Sequence, residues 1–170
     1  TRAYDSVLFI GSQTGMLIYD AKDPVNPTFL SAYEHIWACD PVVANDKYAF
    51  VTLNSDVDFG CFRGVDQLEI VNIEDLRNPY EVITYPMESP KGLGIDDSLL
   101  FICDRNLKVF NASDVSNLKS ISNHDVPAID VIPGRGEKGN ILFVIGEGGL
   151  YQYQYIDGEL ELLSNIPLGS

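Results

Sequence analysis

The sequence predicts an all-β fold made of about four four-stranded antiparallel units of the β-propeller blade type. Short apolar runs recur along the chain, each is bounded by Asp, Asn, Gly or Pro, and no convincing helix of about ten or more residues is indicated. A β-sandwich does not explain an internal repeat, and a parallel β-helix repeats at a much shorter period. Repeated four-stranded units therefore point to propeller blades.

One run in each repeat contains a phenylalanine and is apolar at nearly every position, which is typical of a strand buried on both faces. The four phenylalanines are spaced by 41, 51 and 42 residues and are Phe9, Phe50, Phe101 and Phe143. The next run begins at an apolar anchor and alternates apolar with polar residues, which indicates a strand nearer the solvent. The anchors are Met16, Leu68, Leu107 and Leu150.

The second repeat carries an insertion. The distance from the phenylalanine to the following anchor is 7, 6 and 7 residues in the first, third and fourth repeats, but 18 in the second. We therefore expect a loop insertion of about ten residues between Asn54 and Asp66, with no loss of register elsewhere.

Two further runs complete each repeat. One follows a turn rich in Asp and Pro, as at residues 23–27 and 75–79, and Asp157-Gly158 is a two-residue hairpin signal. The other precedes the phenylalanine run, and its small residues suit an innermost strand. The blades predicted from these runs cover approximately residues 1–33, 34–85, 86–123 and 124–168.

The first repeat is expected to lack its inner strand, because residues 1–5 are too few for a strand and a turn. We therefore expect the chain to be the C-terminal part of a larger propeller of roughly six to eight blades. The missing blades or a second copy of the chain would complete the ring. A closed ring of four blades is the alternative.

Segments 16–27 and 68–79 resemble the LVIVD repeat, in which an apolar strand ending in Asp is followed by a turn with Asp or Asn and two prolines. They read Met-Leu-Ile-Tyr-Asp-Ala-Lys-Asp-Pro-Val-Asn-Pro and Leu-Glu-Ile-Val-Asn-Ile-Glu-Asp-Leu-Arg-Asn-Pro. The third repeat keeps Asp114 but has Leu118 in place of the second proline, and the fourth keeps only Asp157. The resemblance implies a propeller of the bacterial cell envelope, periplasmic or anchored at the surface as a lipoprotein, in a family whose activity is largely undefined.

Composition narrows the range of partners. Asp and Glu number 25 against 11 Lys and Arg, so the formal net charge is −14. Such a charge repels nucleic acid and anionic lipid headgroups. No apolar run approaches the ~18 residues of a membrane span. We therefore expect a chain that binds no nucleic acid and does not span a membrane, with much of its acidic charge in the turns.

The loops between blades and those after the phenylalanine strands are the predicted binding face. They combine aromatic, histidine and charged side chains, a mixture suited to a protein or a glycan at the cell surface. The candidate binding residues are His35, Trp37, Asp40, Phe62, Arg63, Arg105 and Glu147.

The three cysteines do not have the spacing of a zinc site. Cys103 ends an apolar run and is predicted to pack as a small buried hydrophobe. A disulfide between Cys39 and Cys61 is conceivable, because they flank one strand and its following loop. Spacing alone does not decide that pairing.

The sequence predicts no cofactor, and a calcium ion is the only bound ion that it leaves open. Asn54, Asp56 and Asp58 are spaced like the first ligands of a calcium loop. The following glycine, Gly60, comes one place late, and Val65 stands where such a loop has glutamate. A polar recognition loop is the better interpretation of this segment.

The sequence favours a non-catalytic binding or scaffold module, and no catalytic residue is nominated. No Gly-x-Ser-x-Gly elbow is present, and the two histidines lack the further ligands that a metal site needs. The alternative is an envelope enzyme, a hydrolase or lyase, with its site in the central channel. Convergence of His35, Asp40, His124 and Asp130 would favour that alternative.

Overall fold

The computed structural model describes residues 2–4, 6–12, 14–35, 41–55, 64–137 and 139–168, the first of these ranges by its backbone only. Within these ranges the chain forms sixteen β-strands and no helix. The strands form four antiparallel sheets, each with four strands in chain order. The predicted fold class of four-stranded antiparallel blades is confirmed.

Sheets 1 and 2 belong to a first compact unit, Thr1–Pro90. Sheet 1 contains β1 (Arg2–Tyr4), β2 (Val7–Ser12), β3 (Gly15–Asp20) and β4 (Thr28–Glu34). Sheet 2 contains β5 (Val42–Ala44), β6 (Tyr48–Leu53), β7 (Gln67–Asn72) and β8 (Tyr80–Pro86).

Sheets 3 and 4 belong to a second unit, Lys91–Ser170, apart from the first residue of β9. Sheet 3 contains β9 (Pro90–Asp96), β10 (Leu99–Asp104), β11 (Asn106–Asn111) and β12 (Lys119–His124). Sheet 4 contains β13 (Ala128–Gly136), β14 (Gly139–Gly146), β15 (Gly149–Ile156) and β16 (Glu159–Ile166).

The expectation that the first repeat has room for only three strands is wrong. Strand β1 pairs antiparallel with β2 over three residues, and Ala3 lies opposite Leu8. Only two residues separate the strands, and Ser6 has a φ of 65°, in the left-handed region that tight turns use. Three residues and a two-residue turn are therefore enough to supply the inner strand.

The repeat register is the same in all four sheets. In every sheet the anchor on the third strand pairs with the residue that lies two places after the phenylalanine on the second strand. The pairing of the third strand with the fourth contains a β-bulge in every sheet, between the second and third residues after the anchor. Strand β6 ends at Leu53 and β7 begins at Gln67, so the register is kept on both sides of the insertion, whose central residues 56–63 lie outside the described residues. The anchor pairs are Met16–Gly11, Leu68–Thr52, Leu107–Cys103 and Leu150–Ile145.

Each sheet has two different ends. We call the end with the loop between the second and third strands, and with the links to neighbouring sheets, the connection end. The opposite end, with the turns between the first and second and between the third and fourth strands, is the turn end. Of the predicted binding residues, His35, Arg105 and Glu147 are described, and they lie at connection ends.

In each unit the two sheets share one apolar core. In the first unit Phe9, Met16 and Ile18 of sheet 1 pack with Val51 and Val71 of sheet 2, and all five are at most 1% exposed. The equivalent residues of sheets 3 and 4 form the core of the second unit. Sheets thus stack face to face, which buries the apolar surface of their second strands.

Two equivalent serines join the sheets within the units. Ser31 Oγ on β4 donates a hydrogen bond to the Leu76 carbonyl at 2.5 Å, and Ser122 Oγ on β12 donates to the Gly158 carbonyl at 3.1 Å. Each serine pairs with the residue two places after its anchor. Each acceptor lies in the turn between the third and fourth strands of the next sheet.

An ionic clamp joins sheets 3 and 4 at their turn ends. Arg135 donates from Nη1 and Nη2 to both carboxylate oxygens of Asp96, at 2.9 and 2.6 Å. The buried Tyr155 donates its hydroxyl to Asp96 Oδ2 at 2.7 Å. Burial, and then this hydrogen bond, raise the pKa of Tyr155.

The acidic turns are built alike in three sheets. Asp23, Asp75 and Asp114 each accept a hydrogen bond from the backbone N–H two residues further on, at 3.0, 3.0 and 3.1 Å. A neighbouring side chain donates as well, and together these bonds lower the pKa of each aspartate. Part of the net negative charge therefore has a turn-forming role. The hairpin predicted at Asp157-Gly158 is also confirmed, since both residues have positive φ.

We predict that Gly149→Ala destabilises the chain by ~2 kcal/mol. Gly149 has a φ of 120°, and a Cβ there would collide with the carbonyl oxygen of Ile166. Asn106 precedes the anchor of sheet 3, as Gly149 does in sheet 4, without a positive φ. Asn106→Ala is therefore the matched control. Equal losses in the two variants, measured by urea unfolding, would contradict the prediction.

Candidate functional site

A buried carboxylate lies near the connection end of the first unit. Glu69 on β7 is 3% exposed. Tyr33 on β4 donates its hydroxyl to Glu69 Oε2 at 3.2 Å, and Gln67 donates from Nε2 to Oε1 at 2.9 Å. Both carboxylate oxygens therefore accept a hydrogen bond, one from the neighbouring sheet and one from the same strand.

The environment of this carboxylate shifts its proton affinity. Burial raises the pKa of Glu69, while the hydrogen bond from Gln67 and the charge of His35 oppose the rise. Burial and the negative charge of Glu69 raise the pKa of Tyr33. A buried carboxylate with a perturbed pKa is a candidate functional group.

His35, predicted from the sequence, lies beside this pair. Its ring centroid is 6.3 Å from that of Tyr33, and its Nε2 atom is buried. Its backbone N–H donates to the Thr14 carbonyl at 3.2 Å, which fixes the residue just after β4. Sequence reasoning missed Tyr33 and Glu69. Glu69 occupies the polar place of an alternating run, between Leu68 and Ile70, which predicts exposure, so no sequence signal marked it as buried.

The insertion is held at its base by a clasp. Asp66 accepts hydrogen bonds from the Ser55 backbone N–H at 3.0 Å and from Ser55 Oγ at 2.8 Å. The Asp66 carbonyl accepts from the Met87 N–H at 2.9 Å. Asn54 Nδ2 donates to the Pro90 carbonyl at 2.6 Å. The clasp joins the two ends of the longest loop, so its base is ordered by specific bonds.

A second aromatic and histidine group lies near the connection end of the second unit. His124 Nε2 is 3.0 Å from Ser122 Oγ, and its ring centroid is 6.4 Å from that of Tyr153, on which Tyr151 stacks. Burial lowers the pKa of His124, and the charge of Glu159 opposes this. The imidazole is therefore biased toward its neutral form.

The two histidines do not occupy nearly equivalent positions. His124 pairs with the anchor Leu107, whereas the anchor Met16 of sheet 1 pairs with Tyr33. His124 is therefore equivalent to Tyr33, and His35 lies two places further along.

Two other predicted site residues lie exposed in short loops at the connection ends of sheets 3 and 4. Arg105 has a φ of 57° in the turn between β10 and β11. Glu147 follows β14, and its N–H donates to the Pro127 carbonyl at 3.3 Å. Beside Arg105, Lys108 Nζ lies 2.8 Å from the buried carboxylate of Asp104. Both predicted residues are thus accessible to a partner.

The prediction for Cys103 is confirmed. It is fully buried, and burial raises the pKa of its thiol. The side chain of Asp130, one of the four residues whose convergence would favour an enzyme, accepts a hydrogen bond from the Val131 N–H at 2.9 Å. In the described part of the second unit, Asp130 and His124 share no hydrogen bond.

Several predicted residues lie outside the described residues. They are Trp37, Asp40, Phe62, Arg63, the cysteines Cys39 and Cys61, and the acidic Asp56 and Asp58. Among the residues that the structure does describe, no three His, Cys, Asp or Glu side chains form a metal-binding group. The same ranges contain no helix long and apolar enough to cross a membrane.

A cavity of about 300 Å³ lies at the turn end of the first unit, away from the predicted binding loops. Its lining combines apolar side chains with two acidic residues and one asparagine. The lining residues are Val7, Phe9, Asn45, Asp46, Ile73, Glu74 and Leu76.

Comparison with known proteins identifies the fold. No family model matches the sequence, and no curated protein matches it. The periplasmic gluconolactonase PpgL of Pseudomonas aeruginosa is similar in structure, with a TM-score of 0.69, 13% identity and coverage of 97% of this chain and 52% of its own. The chain consists of β-propeller blades.

Two further structures support this fold. A candidate 6-phosphogluconolactonase of Bacteroides fragilis matches with a TM-score of 0.66 and 12% identity over 99% of this chain and 56% of its own. The N-terminal domain of Nup159 matches with a TM-score of 0.58 and 16% identity over 97% of this chain and 42% of its own. The chain spans about half the length of these propellers, and such low identities establish the fold alone.

We predict that Glu69→Gln raises the melting temperature at pH 7 by a few degrees relative to the unmodified chain, with little difference at pH 4. The pKa of Glu69 is higher in the folded state, so folding favours its protonated form. The contribution of this protonated form to the free energy of unfolding is fully present below the pKa that Glu69 has in the unfolded chain. It is lost as the pH rises through the pKa of Glu69 in the folded chain. A neutral glutamine does not titrate and avoids this loss.

The control is Glu81→Gln, because Glu81 is exposed and approaches the same Tyr33 hydroxyl at 3.5 Å. Its melting temperature should follow that of the unmodified chain at both pH values. A difference between Glu69→Gln and the unmodified chain that does not change with pH would contradict the interpretation.

Proposed function

We propose that the chain is a non-catalytic binding or scaffold module that recognises a protein or a glycan through its connection-end loops. The observation that carries this proposal is the clasp of Ser55 and Asp66 at the base of the longest loop. A loop held at its neck on a stacked sheet presents its side chains at a defined place with less ordering cost on binding.

The contacts of the titratable groups favour binding over catalysis. Both oxygens of Glu69 already accept hydrogen bonds from Tyr33 and Gln67. His124 contacts Ser122, and Asp130 contacts the backbone of the next residue. The hydrogen bond between Tyr33 and Glu69 thus serves the packing of the sheets, whereas a general acid or base needs a free position for its substrate.

The proposed setting is a propeller of the LVIVD-repeat type in the bacterial cell envelope, periplasmic or anchored at the surface as a lipoprotein. The aspartate turns at Asp23, Asp75 and Asp114 support the resemblance, since the motif's aspartate forms the same turn in three repeats. The periplasmic location given for the similar gluconolactonase is consistent with this setting. Nup159, another similar propeller, has been crystallised bound to Dbp5, so the fold serves protein binding elsewhere.

The proposal is tested by photocross-linking in bacterial envelope extracts and on arrays of cell-wall glycans. A photoreactive amino acid replaces Arg63, Arg105 or Glu147 at the connection ends, and Glu137 at a turn end serves as control. We expect one partner to be captured from connection-end positions and lost in the variant Phe62→Ser. Equal capture from both ends, or no capture in either format, would overturn the proposal.

An enzyme is the second candidate, and the approach of His35 to the buried carboxylate of Glu69 favours it. Two similar propellers are described as lactonases. The chain is incubated with δ-gluconolactone, and acid release is followed with a pH indicator. Hydrolysis above the spontaneous rate that falls at least tenfold in Glu69→Gln would establish this alternative. Hydrolysis at the spontaneous rate excludes this lactonase activity.

A further inference from the structure

Each sheet has a back face and a front face. The back face carries the phenylalanine and the anchor, and within each unit it packs on the front face of the following sheet. The front face carries the residues on either side of the phenylalanine, such as Leu142 and Val144 in sheet 4. Because the register is the same in all four sheets, equivalent positions can be compared directly.

The back face of sheet 4 is exposed. Phe143 and Leu150 are partly accessible, whereas the phenylalanines and anchors of the other three sheets are at most 1% exposed. Around them lie exposed apolar side chains on strands β13, β14 and β16, with exposed fractions of 60%, 43%, 50% and 47%: Ile132, Ile145, Leu163 and Ile166. A contiguous apolar face of this kind marks an interaction surface.

This face also carries a serine at the position from which a hydrogen bond joins stacked sheets elsewhere in the chain. Ser164 pairs with Gln152, two places after the anchor, and is therefore equivalent to Ser31 and Ser122. Both of those serines donate to a turn carbonyl of the next sheet. The side chain of Ser164 makes no hydrogen bond to another described residue. The face thus has the apolar and the polar parts of a sheet-stacking surface.

The complementary surface is on sheet 1 of the same chain. On its front face Leu8, Ile10 and Tyr19 are half-buried, whereas the equivalent residues of sheet 4 are 0%, 0% and 6% exposed. The turn that would supply the acceptor carbonyl is also open. Pro24 occupies the position of Leu76 and is exposed, and Val25 beside it is 83% exposed.

We propose that the back face of sheet 4 docks on the front face of sheet 1 of a second copy of this chain. Ser164 then donates to the Pro24 carbonyl, in the same way that Ser31 donates to Leu76 within the first unit. Two such contacts join two copies into one assembly of eight sheets.

Charge sets the conditions for this association. Each copy carries a formal charge of −14, so two copies repel each other at low ionic strength. Salt screens this repulsion and leaves the apolar contact intact. Dimerisation should therefore strengthen from low salt to about 0.5 M NaCl, where the Debye length is a few ångströms.

The first experiment is sedimentation equilibrium of the full chain at both salt concentrations. We expect a dimer, and we expect Ile145→Asp with Ile166→Asp to raise the dissociation constant at least tenfold, because a charge is then buried in an apolar contact. Tyr80→Asp is the control, since Tyr80 is 58% exposed on sheet 2. A monomer at every concentration and salt would overturn the proposal.

The second experiment fixes the geometry. In a background with Cys39→Ser and Cys61→Ser, Ser164→Cys and Val25→Cys chains of different tag length are mixed and treated with a short bismaleimide. The proposal requires cross-links between the two kinds of chain. Cross-links between two Ser164→Cys chains indicate a symmetric pairing of sheet 4. A chain that carries both Ser164→Cys and Val25→Cys is treated in the same way. A cross-link within this chain, seen as a product of monomer mass, indicates closure within one copy. Either of the last two results would overturn the proposal.

Discussion

Face-to-face stacking of the sheets is the constraint on which the rest of the structure depends. The second strand of each sheet, which carries the phenylalanine, is apolar on both faces. Its own sheet cannot bury these faces, because the neighbouring strands of that sheet cover only its edges. Phe9 on one face and Ile10 on the other therefore need different covering sheets. The common register follows from this constraint, since each sheet must present the same two faces to fit the next.

Stacking also decides where polar groups can be buried. Glu69 is acceptable in a core strand because Tyr33 comes from the neighbouring sheet to bond it, and Asp96 receives Arg135 and Tyr155 in the same way. An unpaired carboxylate at either place would be costly. These contacts hold one sheet in a single position on the next, which apolar packing alone specifies less sharply.

Much of the fold was predictable because its signals are local. Alternation, the phenylalanine strands and the Asp-Gly hairpin are set within a few residues, and the spacing of the anchors revealed the insertion. The inner strand of sheet 1 was missed because a strand of three residues leaves too short a pattern to recognise. The candidate site was predicted only in part. His35, Arg105 and Glu147 were found as loop residues, whereas Tyr33 and Glu69 looked like ordinary strand positions.

The sequence by itself determined the strands, the turns, the repeat register and the acidic character of the turns, since each depends on neighbouring residues. Only the tertiary structure decided which distant residues meet. Tyr33 and Glu69 are 36 residues apart, and Tyr155 and Asp96 are 59 apart, and no local pattern links the members of either pair. Stacking brings them together, so the buried carboxylate, the ionic clamp and the open faces of sheets 1 and 4 exist only in the folded chain.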